Sequence, residues 1–285
     1  MNPIAANAAQ QTPQEPRPLT FALLRLLADG AFHSGEVLAQ QLGVSRASVN
    51  NALHGVEQYG LTLYSVRGRG YCLVNPPHWL DAAQVHTLLG QCGGDFHVEV
   101  LDSASSSNTL LLQRTAQHAP SGSVLALEWQ SGGRGRLGRP WHSGLGNALT
   151  FSLLWRFECG LAGLSGLSLA AGVALMRALH QLGAREARLK WPNDLLGPQG
   201  KLAGILIEAQ GDMLGPSAVV IGVGLNLSLP QQVLQRIEQP VTDLAHMTTP
   251  LPERNQVLAL MLRELTAVLR EFAQHGFAAL RAEWE

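Results

Sequence analysis

The chain has 285 residues, of which 46% are hydrophobic and 14% are charged, and its formal net charge at pH 7 is −1. This composition is typical of a folded protein with room for two domains, and it excludes an intrinsically disordered chain. The sequence has no run of eighteen apolar residues and no N-terminal segment that joins basic residues to an apolar stretch. We therefore expect neither a membrane span nor a signal peptide, and we predict a cytoplasmic protein.

The cysteines and histidines do not form a recognisable metal-binding or disulfide pattern. Cys72, Cys92 and Cys159 are odd in number, widely spaced and outside any CxxC motif. This arrangement argues against a disulfide framework and against a structural zinc site. The ten histidines contain no HExxH motif, so we expect no metal cage built by the protein itself.

The N-terminal third predicts a winged helix-turn-helix domain. Residues 1–18 are rich in Pro, Gln and Ala and predict a disordered tail, and residues 19–75 form the predicted domain. Three short helices are predicted, the second and third capped by Ser34 and Ser45 and separated by a Gly-Val-Ser turn. The segments LTLYSV and YCLV then flank a basic RGRG tip, as in the hairpin wing of such domains.

We expect this domain to bind DNA through its third helix and its wing. The candidate residues can read base edges or reach phosphates, and they are Ser45, Arg46, Ser48, Asn50, Asn51, Arg67 and Arg69. A three-helix bundle with a merely solvated third helix is the alternative. Residues 1–75 hold five arginines against four carboxylates, a net charge of +1, so a single copy would bind DNA weakly and a dimer would bind better.

After Asn75-Pro76-Pro77 the pattern changes, and residues 80–285 predict a larger α+β domain. Strands are predicted at 96–101, 123–130 and 147–157, and a polar cluster, DSASSSN, follows the first of them. Later segments predict a long helix, further strands in KLAGILIE and AVVIGVGLNLS, and a C-terminal amphipathic helix. We expect a mostly antiparallel or mixed sheet. The absence of a strand-GxGxxG-helix unit argues against a dinucleotide-binding fold.

A basic loop lies between two of these strands. The stretch GGRGRLGRPW, Gly132 to Trp141, falls in a window with no acidic residue between Glu128 and Glu158. Glycine lets the backbone approach a ligand closely, and guanidinium groups match carboxylate or phosphate oxygens, so the stretch predicts an anion-binding lid. A solvated basic loop is the alternative. Gly222 and Gly224, inside a predicted strand, indicate close approach of a ligand or of neighbouring backbone.

Four motifs, in chain order behind the winged helix, resemble those of the biotin protein ligases. They are GRGRLGRPW, KWPNDL, KLAGIL and GVGLN, and the resemblance is to the bifunctional bacterial form that is also the biotin operon repressor. It runs from about Leu19 to the C-terminus. It implies a winged helix-turn-helix domain followed by a class II synthetase-like catalytic domain. Family members continue into a small SH3-like β domain, for which the sequence up to Glu285 shows no counterpart.

The resemblance also implies a reaction. Biotin and ATP would form biotinyl-5′-AMP, with Mg²⁺ accompanying ATP, and biotin would then pass to a lysine of the biotin carboxyl carrier protein of acetyl-CoA carboxylase. The ligand-bound protein would dimerise and repress transcription at operator DNA. A ligand-sensing repressor with weak or no carrier ligation is the alternative, and a lipoate-type ligase is disfavoured by the Gly-Arg-Gly-Arg sequence.

The resemblance assigns roles residue by residue. The implied catalytic residues are Arg136, Lys201, Lys190 and Asp194, with Asp194 orienting Lys190 or a magnesium ion. The residues implied to bind biotin and its adenylate are Ser106, Ser107, Asn108, Gln130, Gly133, Arg134, Gly135, Arg136, Lys201 and Gly204. Those implied to bind the nucleotide are Arg139, Trp141, Asn193 and Asn226.

Besides the missing counterpart of the small β domain, two features depart from the family pattern. DSASSSN replaces a shorter Asp-Ser-Thr-Asn stretch, so Ser106, Ser107 and Asn108 are assigned to the biotin ureido ring, with Ser103 as the alternative. Residues 227–245 hold no aromatic side chain to cover the adenine, as family members have after the position of Asn226.

Overall fold

The computed structural model describes residues 14–285. Of the predicted disordered tail, residues 1–18, residues 1–13 lie outside the described part of the chain. Within the described part, Tyr59 Oη donates to the carbonyl oxygen of Gln14 at 2.9 Å, and the Arg17 guanidinium donates to that of Asn51 at 2.8 Å. The first helix begins at Pro18, one residue before the predicted domain boundary.

The described residues form helices and strands in the following order. The helices are α1 (Pro18–Leu26), α2 (Gly35–Leu42), α3 (Arg46–Leu53), α4 (Ala82–Leu89), α5 (Ser107–Thr115), α6 (Leu167–Gln181), α7 (Gln231–Leu234), α8 (Arg254–His275) and α9 (Arg281–Trp284). The strands are β1 (Thr62–Val66), β2 (Gly70–Val74), β3 (His97–Ala104), β4 (Ser123–Gln130), β5 (Ala148–Phe157), β6 (Arg188–Lys190), β7 (Asp194–Gly197), β8 (Gly200–Gly211) and β9 (Ser217–Asn226).

The N-terminal elements form the predicted winged helix-turn-helix. Ser34 Oγ accepts a hydrogen bond from Val37 N at 3.2 Å, and Ser45 Oγ accepts one from Ser48 N at 3.1 Å, so both serines cap the helices that follow them. Gly43 ends α2 with φ at +63°, a conformation that favours glycine. The antiparallel pair β1 and β2 supplies the wing.

The larger C-terminal region is built on a seven-stranded sheet with the order β3-β4-β5-β9-β8-β7-β6. Strands β3 and β4 run parallel and every other neighbouring pair is antiparallel, so the sheet is mixed, as the sequence predicts. Helices α6 and α8 belong to the main apolar core with the sheet, whereas Leu111 of α5 packs with Leu154 and Val220 in a separate cluster. The central strands β5 and β9 are therefore buried on both faces, which explains their nearly continuous apolar sequences.

The hydrophobic core of the winged helix includes two residues of the region that follows it, Trp129 and Leu145. Trp129, next to the end of β4, is 2% exposed and packs with the winged-helix core, its ring centroid 5.7 Å from that of Tyr59 in an edge-to-face arrangement. A buried ion pair, with Arg254 Nη1 2.5 Å from Glu128 Oε2, lies nearby, and Glu128 Oε1 also accepts from Leu80 N at 2.6 Å. The segment between the two regions is thus fixed against the sheet.

The longest helix of the described residues, α8, is amphipathic. None of the helices in residues 14–285 is both long enough and apolar enough to cross a membrane.

Candidate active site

A cavity of about 380 Å³ opens beneath the Gly-Arg loop, which we define as residues 131–141. The sequence-predicted residues that line it come from four separate stretches of the chain, and they are Ser106, Ser107, Asn108, Gln130, Arg134, Gly135, Arg136, Arg139, Trp141, Lys190, Asn193, Asp194, Lys201 and Gly204. Gly133 and Asn226, also predicted, are not among the lining residues. Such a mixture of cations, amides and apolar side chains is typical of a small-molecule site.

Gln130 is fixed at the end of β4 by the first turn of α5. Ser107 donates to Gln130 Oε1 twice, from its backbone nitrogen at 2.8 Å and from Oγ at 3.2 Å. Ser106 caps the same helix, since its Oγ accepts from Thr109 N at 3.4 Å. With Oε1 occupied, Gln130 presents its amide nitrogen as the group left for a ligand.

Ser152 completes this cluster and was not predicted. It is fully buried in β5, with Oγ 2.7 Å from Ser107 Oγ and 2.6 Å from Asn108 Oδ1. Asn108 Nδ2 in turn donates to the Leu206 carbonyl oxygen at 3.2 Å and to Glu208 Oε2 at 2.9 Å. A buried serine within a mostly apolar strand is the signal that could have identified Ser152.

The Gly-Arg loop is held at its base by backbone hydrogen bonds. Gly132 N donates to the Ser105 carbonyl oxygen at 2.8 Å, and Trp141 N donates to that of Gly133 at 2.9 Å. Gly133 therefore closes the base of the loop instead of lining the cavity. At the tip, Leu137 is 92% exposed, and the Arg136 and Arg139 beside it are exposed cations.

Asp194 is paired with Lys201 and not with Lys190. Asp194 Oδ1 lies 2.7 Å from Lys201 Nζ, with both side chains about one-fifth exposed, whereas Lys190 is an exposed residue. Lys201 Nζ also lies 5.8 Å from the centre of the Trp141 ring. Asp194 therefore contacts Lys201, although Lys190 lies directly opposite Asp194 in the backbone pairing of β6 and β7.

Two of the four residues expected to bind the nucleotide, Asn226 and Trp141, lie in different places relative to the cavity. Asn226 is 2% exposed and donates to the carbonyl oxygens of Lys201 at 3.2 Å and of Thr242 at 3.0 Å, so it lies behind the cavity wall. Trp141 lies in the cavity and covers Gly224, where a Cβ would come within 2.5 Å of the indole ring. Trp141 Nε1 is buried and makes no hydrogen bond within residues 14–285. An aromatic side chain is thus present in the cavity, though it precedes the expected segment.

His142 follows the Gly-Arg loop and is partly buried. Burial lowers the pKa of its imidazole, the neighbouring Arg236 cation lowers it further, and Glu238 acts in the opposite direction. The neutral form of His142 is therefore favoured in the folded protein. Within the described residues no group of three or more His, Cys, Asp or Glu side chains is arranged to hold a metal ion.

The predicted DNA-binding residues divide into exposed and structural groups. Arg46, Asn50, Asn51, Arg67 and Arg69 are exposed on α3 and on the turn between β1 and β2. Two of them also have protein partners. Asn50 Oδ1 accepts from Tyr71 Oη at 3.2 Å, and the Arg69 guanidinium lies 4.0 Å from the centre of the Phe32 ring. Ser45 and Ser48 form the helix cap, with their Oγ atoms 2.9 Å apart.

Comparisons with known proteins agree with this two-part organisation. Residues 100–226 match the model of the biotin/lipoate A/B protein ligase family, and residues 19–72 match that of an HTH domain. The chain is 40% identical over 267 residues to the bifunctional ligase/repressor BirA of Escherichia coli, which covers 92% of this chain and 80% of that protein. It is 28% identical over 264 residues to the bifunctional ligase/repressor BirA of Bacillus subtilis, covering 90% and 80% respectively.

A solved structure shows the same likeness in three dimensions. The biotin protein ligase from Aquifex aeolicus in complex with biotin and ATP matches with a TM-score of 0.54 and 27% sequence identity. The match covers 66% of this chain and 77% of that one.

Proposed function

Since this chain belongs to the family of the bifunctional biotin ligase/repressors of the BirA type, we propose that the cavity beneath the Gly-Arg loop joins biotin to ATP as biotinyl-5′-AMP. The chain is a biotin protein ligase with a helix-turn-helix repressor domain. The observation that carries the proposed site is that predicted residues from four separate stretches of the sequence line one cavity. They supply both the amide and hydroxyl groups suited to a ureido ring and the cations suited to phosphates.

The chemistry needs this combination of groups. A carboxylate is a poor electrophile, so the biotin carboxylate first attacks the α-phosphorus of ATP, releasing pyrophosphate and forming a mixed anhydride. A lysine amine then attacks the anhydride carbonyl, forming an amide and releasing AMP. The first step brings several negative charges together, and cations held in place before the reaction stabilise them.

We assign the cations of the cavity to this role. Lys201, held by Asp194 at 2.7 Å, stabilises the carboxylate and phosphate charge, and the exposed Arg136 and Lys190 approach the phosphates from the rim. Asp194 acts as a positioning residue for Lys201. Arg139, Trp141 and Asn193 contact the nucleotide, with the buried indole N–H of Trp141 as a donor.

We assign the recognition of biotin to the cluster of polar side chains around Gln130. Its free amide nitrogen and the hydroxyls of Ser106 and Ser107 supply donors and acceptors for the ureido ring. Asn108 uses its amide on Glu208 and Leu206, so its contribution is to fix the shape of the pocket. Gly204 leaves space beside Lys201, since a Cβ there would lie 3.2 Å from Lys201 Nζ.

Magnesium enters this scheme with ATP. The carboxylate of Asp194 is occupied by Lys201, which fits a metal ion bound mainly by phosphate oxygens and water. The ion would neutralise phosphate charge as ATP binds.

The second half of the proposal concerns the carrier and DNA. The acceptor is a lysine of the biotin carboxyl carrier protein of acetyl-CoA carboxylase, and the reaction takes place in the cytoplasm. We further propose that the adenylate-bound protein forms a homodimer, in which two winged helices bind operator DNA together. The exposed Arg46, Asn50 and Asn51 on α3 support this role, because these side chains can read base edges.

The proposed site is tested by pyrophosphate release from biotin and Mg-ATP. We expect the Arg136→Ala and Lys201→Met variants to lose at least about 100-fold in rate, as when a group that stabilises transition-state charge is removed. Arg185→Ala is the matched control, because Arg185 is an exposed arginine outside the cavity. Rates at the wild-type level in both cavity variants would contradict the assignment.

A further inference from the structure

The Gly-Arg loop has one side-chain attachment that the reaction chemistry does not explain. Beyond the backbone hydrogen bonds at its base, Arg134 Nη1 donates to Thr109 Oγ1 at 2.6 Å, and Arg134 Nη2 donates to Glu208 Oε1 and Oε2 at 2.9 and 3.1 Å. The guanidinium is thus committed to the protein. It ties the loop to helix α5 and to strand β8.

Glu208 is the centre of this attachment. Its carboxylate accepts from Arg134 and also from Asn108 Nδ2 at 2.9 Å, so three segments distant in sequence meet on one side chain. The side chains of Arg134 and Glu208 are 35% and 28% exposed, which leaves the pair partly shielded from water. Charge-assisted hydrogen bonds of this kind are stronger than neutral ones.

The negative charge of the Glu208 carboxylate indicates the role of this residue. A free carboxylate beside a cavity that binds anions would repel them, but Glu208 and Arg134 neutralise each other. Arg136 and Arg139 in the same loop are exposed and stay available for a ligand. Glu208 therefore serves the position of the loop and not the electrostatics of the ligand.

We propose that Glu208 is a positioning residue that latches the Gly-Arg loop over the cavity through Arg134, and that this latch sets how long biotin and its adenylate stay bound. The part that concerns ligands rests on the proposed function. The part that concerns the loop does not, because it is argued only from contacts between side chains of this chain.

The latch itself is tested by limited trypsin digestion of the ligand-free protein. The peptide bond after Arg136 lies at the exposed tip, and its cleavage reports how often the loop opens. In Glu208→Gln one carboxylate oxygen becomes a donor that faces donors. We expect the fragment ending at Arg136 to form about 10-fold faster than in wild type, a value discounted for partial exposure.

Glu99→Gln is the matched control. Glu99 forms an ion pair with Arg114 that joins β3 to the same helix, α5, but does not touch the loop. We expect its cleavage after Arg136 to match that of wild type. A faster rate in Glu99→Gln equal to that in Glu208→Gln would overturn the proposal, because the effect would then be general loosening.

A double-variant cycle separates the latch from a loss of folding. If Glu208 acts through Arg134, then Arg134→Met combined with Glu208→Gln should cleave no faster than the more severe single variant. Additive effects would contradict the proposed route through Arg134.

A second experiment tests the effect on the ligand: it measures the rate at which pre-bound biotinyl-5′-AMP is released in the presence of excess unlabelled biotin. We expect release from Glu208→Gln to be about 10-fold faster than from wild type, with Glu99→Gln unchanged. Unchanged release together with faster cleavage would refute control of ligand lifetime while leaving the loop contact intact. If wild type forms no adenylate, the proposed function has failed instead, and the digestion result still decides the latch.

Discussion

Replacing Gly222 with alanine would place a methyl group against the amide that shapes the biotin pocket. A Cβ at Gly222 would lie 2.1 Å from Asn108 Oδ1 and 2.8 Å from Asn108 Cγ. The backbone at Gly222 has no positive φ, so strand β9 itself can accommodate alanine. The strain therefore falls on Asn108.

The size of the effect follows from these distances. To regain ordinary contact, the Asn108 amide would have to move by roughly 1 Å or more. That movement breaks its contacts with Ser152 Oγ at 2.6 Å and with Glu208 Oε2 at 2.9 Å. A misplacement of about 1 Å in a binding constellation can cost about 100-fold, so we expect the Kd for biotin to rise by that order. Overpacking should also lower the free energy of unfolding by about 1–3 kcal/mol.

The assay is calorimetric titration of biotin into the Gly222→Ala protein, with its thermal unfolding recorded in parallel. Gly94→Ala is the control, because a Cβ at Gly94 would meet nothing within 4 Å. A folded Gly222→Ala protein that binds biotin as tightly as wild type would refute the inference that the pocket requires Asn108 in its observed place.

Three further predictions concern the domain junction, the pH dependence and the wing. Arg254→Met would leave Glu128 buried and unpaired, and we expect a loss of about 3–5 kcal/mol in the free energy of unfolding measured with urea. The pKa of His142 in the folded protein lies below its unfolded value of 6.5, so the free energy of unfolding decreases as pH falls from above 6.5 through the folded pKa. In the His142→Gln variant this decrease should be smaller, as measured by urea titrations at several pH values. Arg67→Ala should weaken binding to random-sequence duplex DNA and reduce its salt slope by about 1, measured by fluorescence anisotropy, without changing pyrophosphate release; an unchanged slope would remove Arg67 from the DNA contact.

Local patterns in the sequence account for much of the fold. The largely apolar sequence at 123–130 coincides with β4, as expected for a strand that is buried on both faces. The serine caps of α2 and α3 are equally local, since a cap depends on residues three positions apart. The close approach predicted at Gly222 and Gly224 is present, although side chains approach there instead of backbone.

Contacts between distant segments could not be predicted in the same way. Glu208 and Ser152 enter the site because β8 and β5 flank β9 in the sheet, an order that sequence patterns do not specify. The pairing of Asp194 with Lys201 and the position of Asn226 behind the cavity depend on the same strand order. The motifs therefore indicated which segments converge, and the topology determines which side chain meets which.

The most direct test of the proposed reaction is intact-mass spectrometry of the purified protein after incubation with biotin and Mg-ATP, with and without the carrier protein. The proposal predicts biotinyl-5′-AMP bound to the protein when the carrier is absent, and one biotinyl group on the carrier when it is present. Absence of both products from a protein that is folded and binds biotin would contradict it.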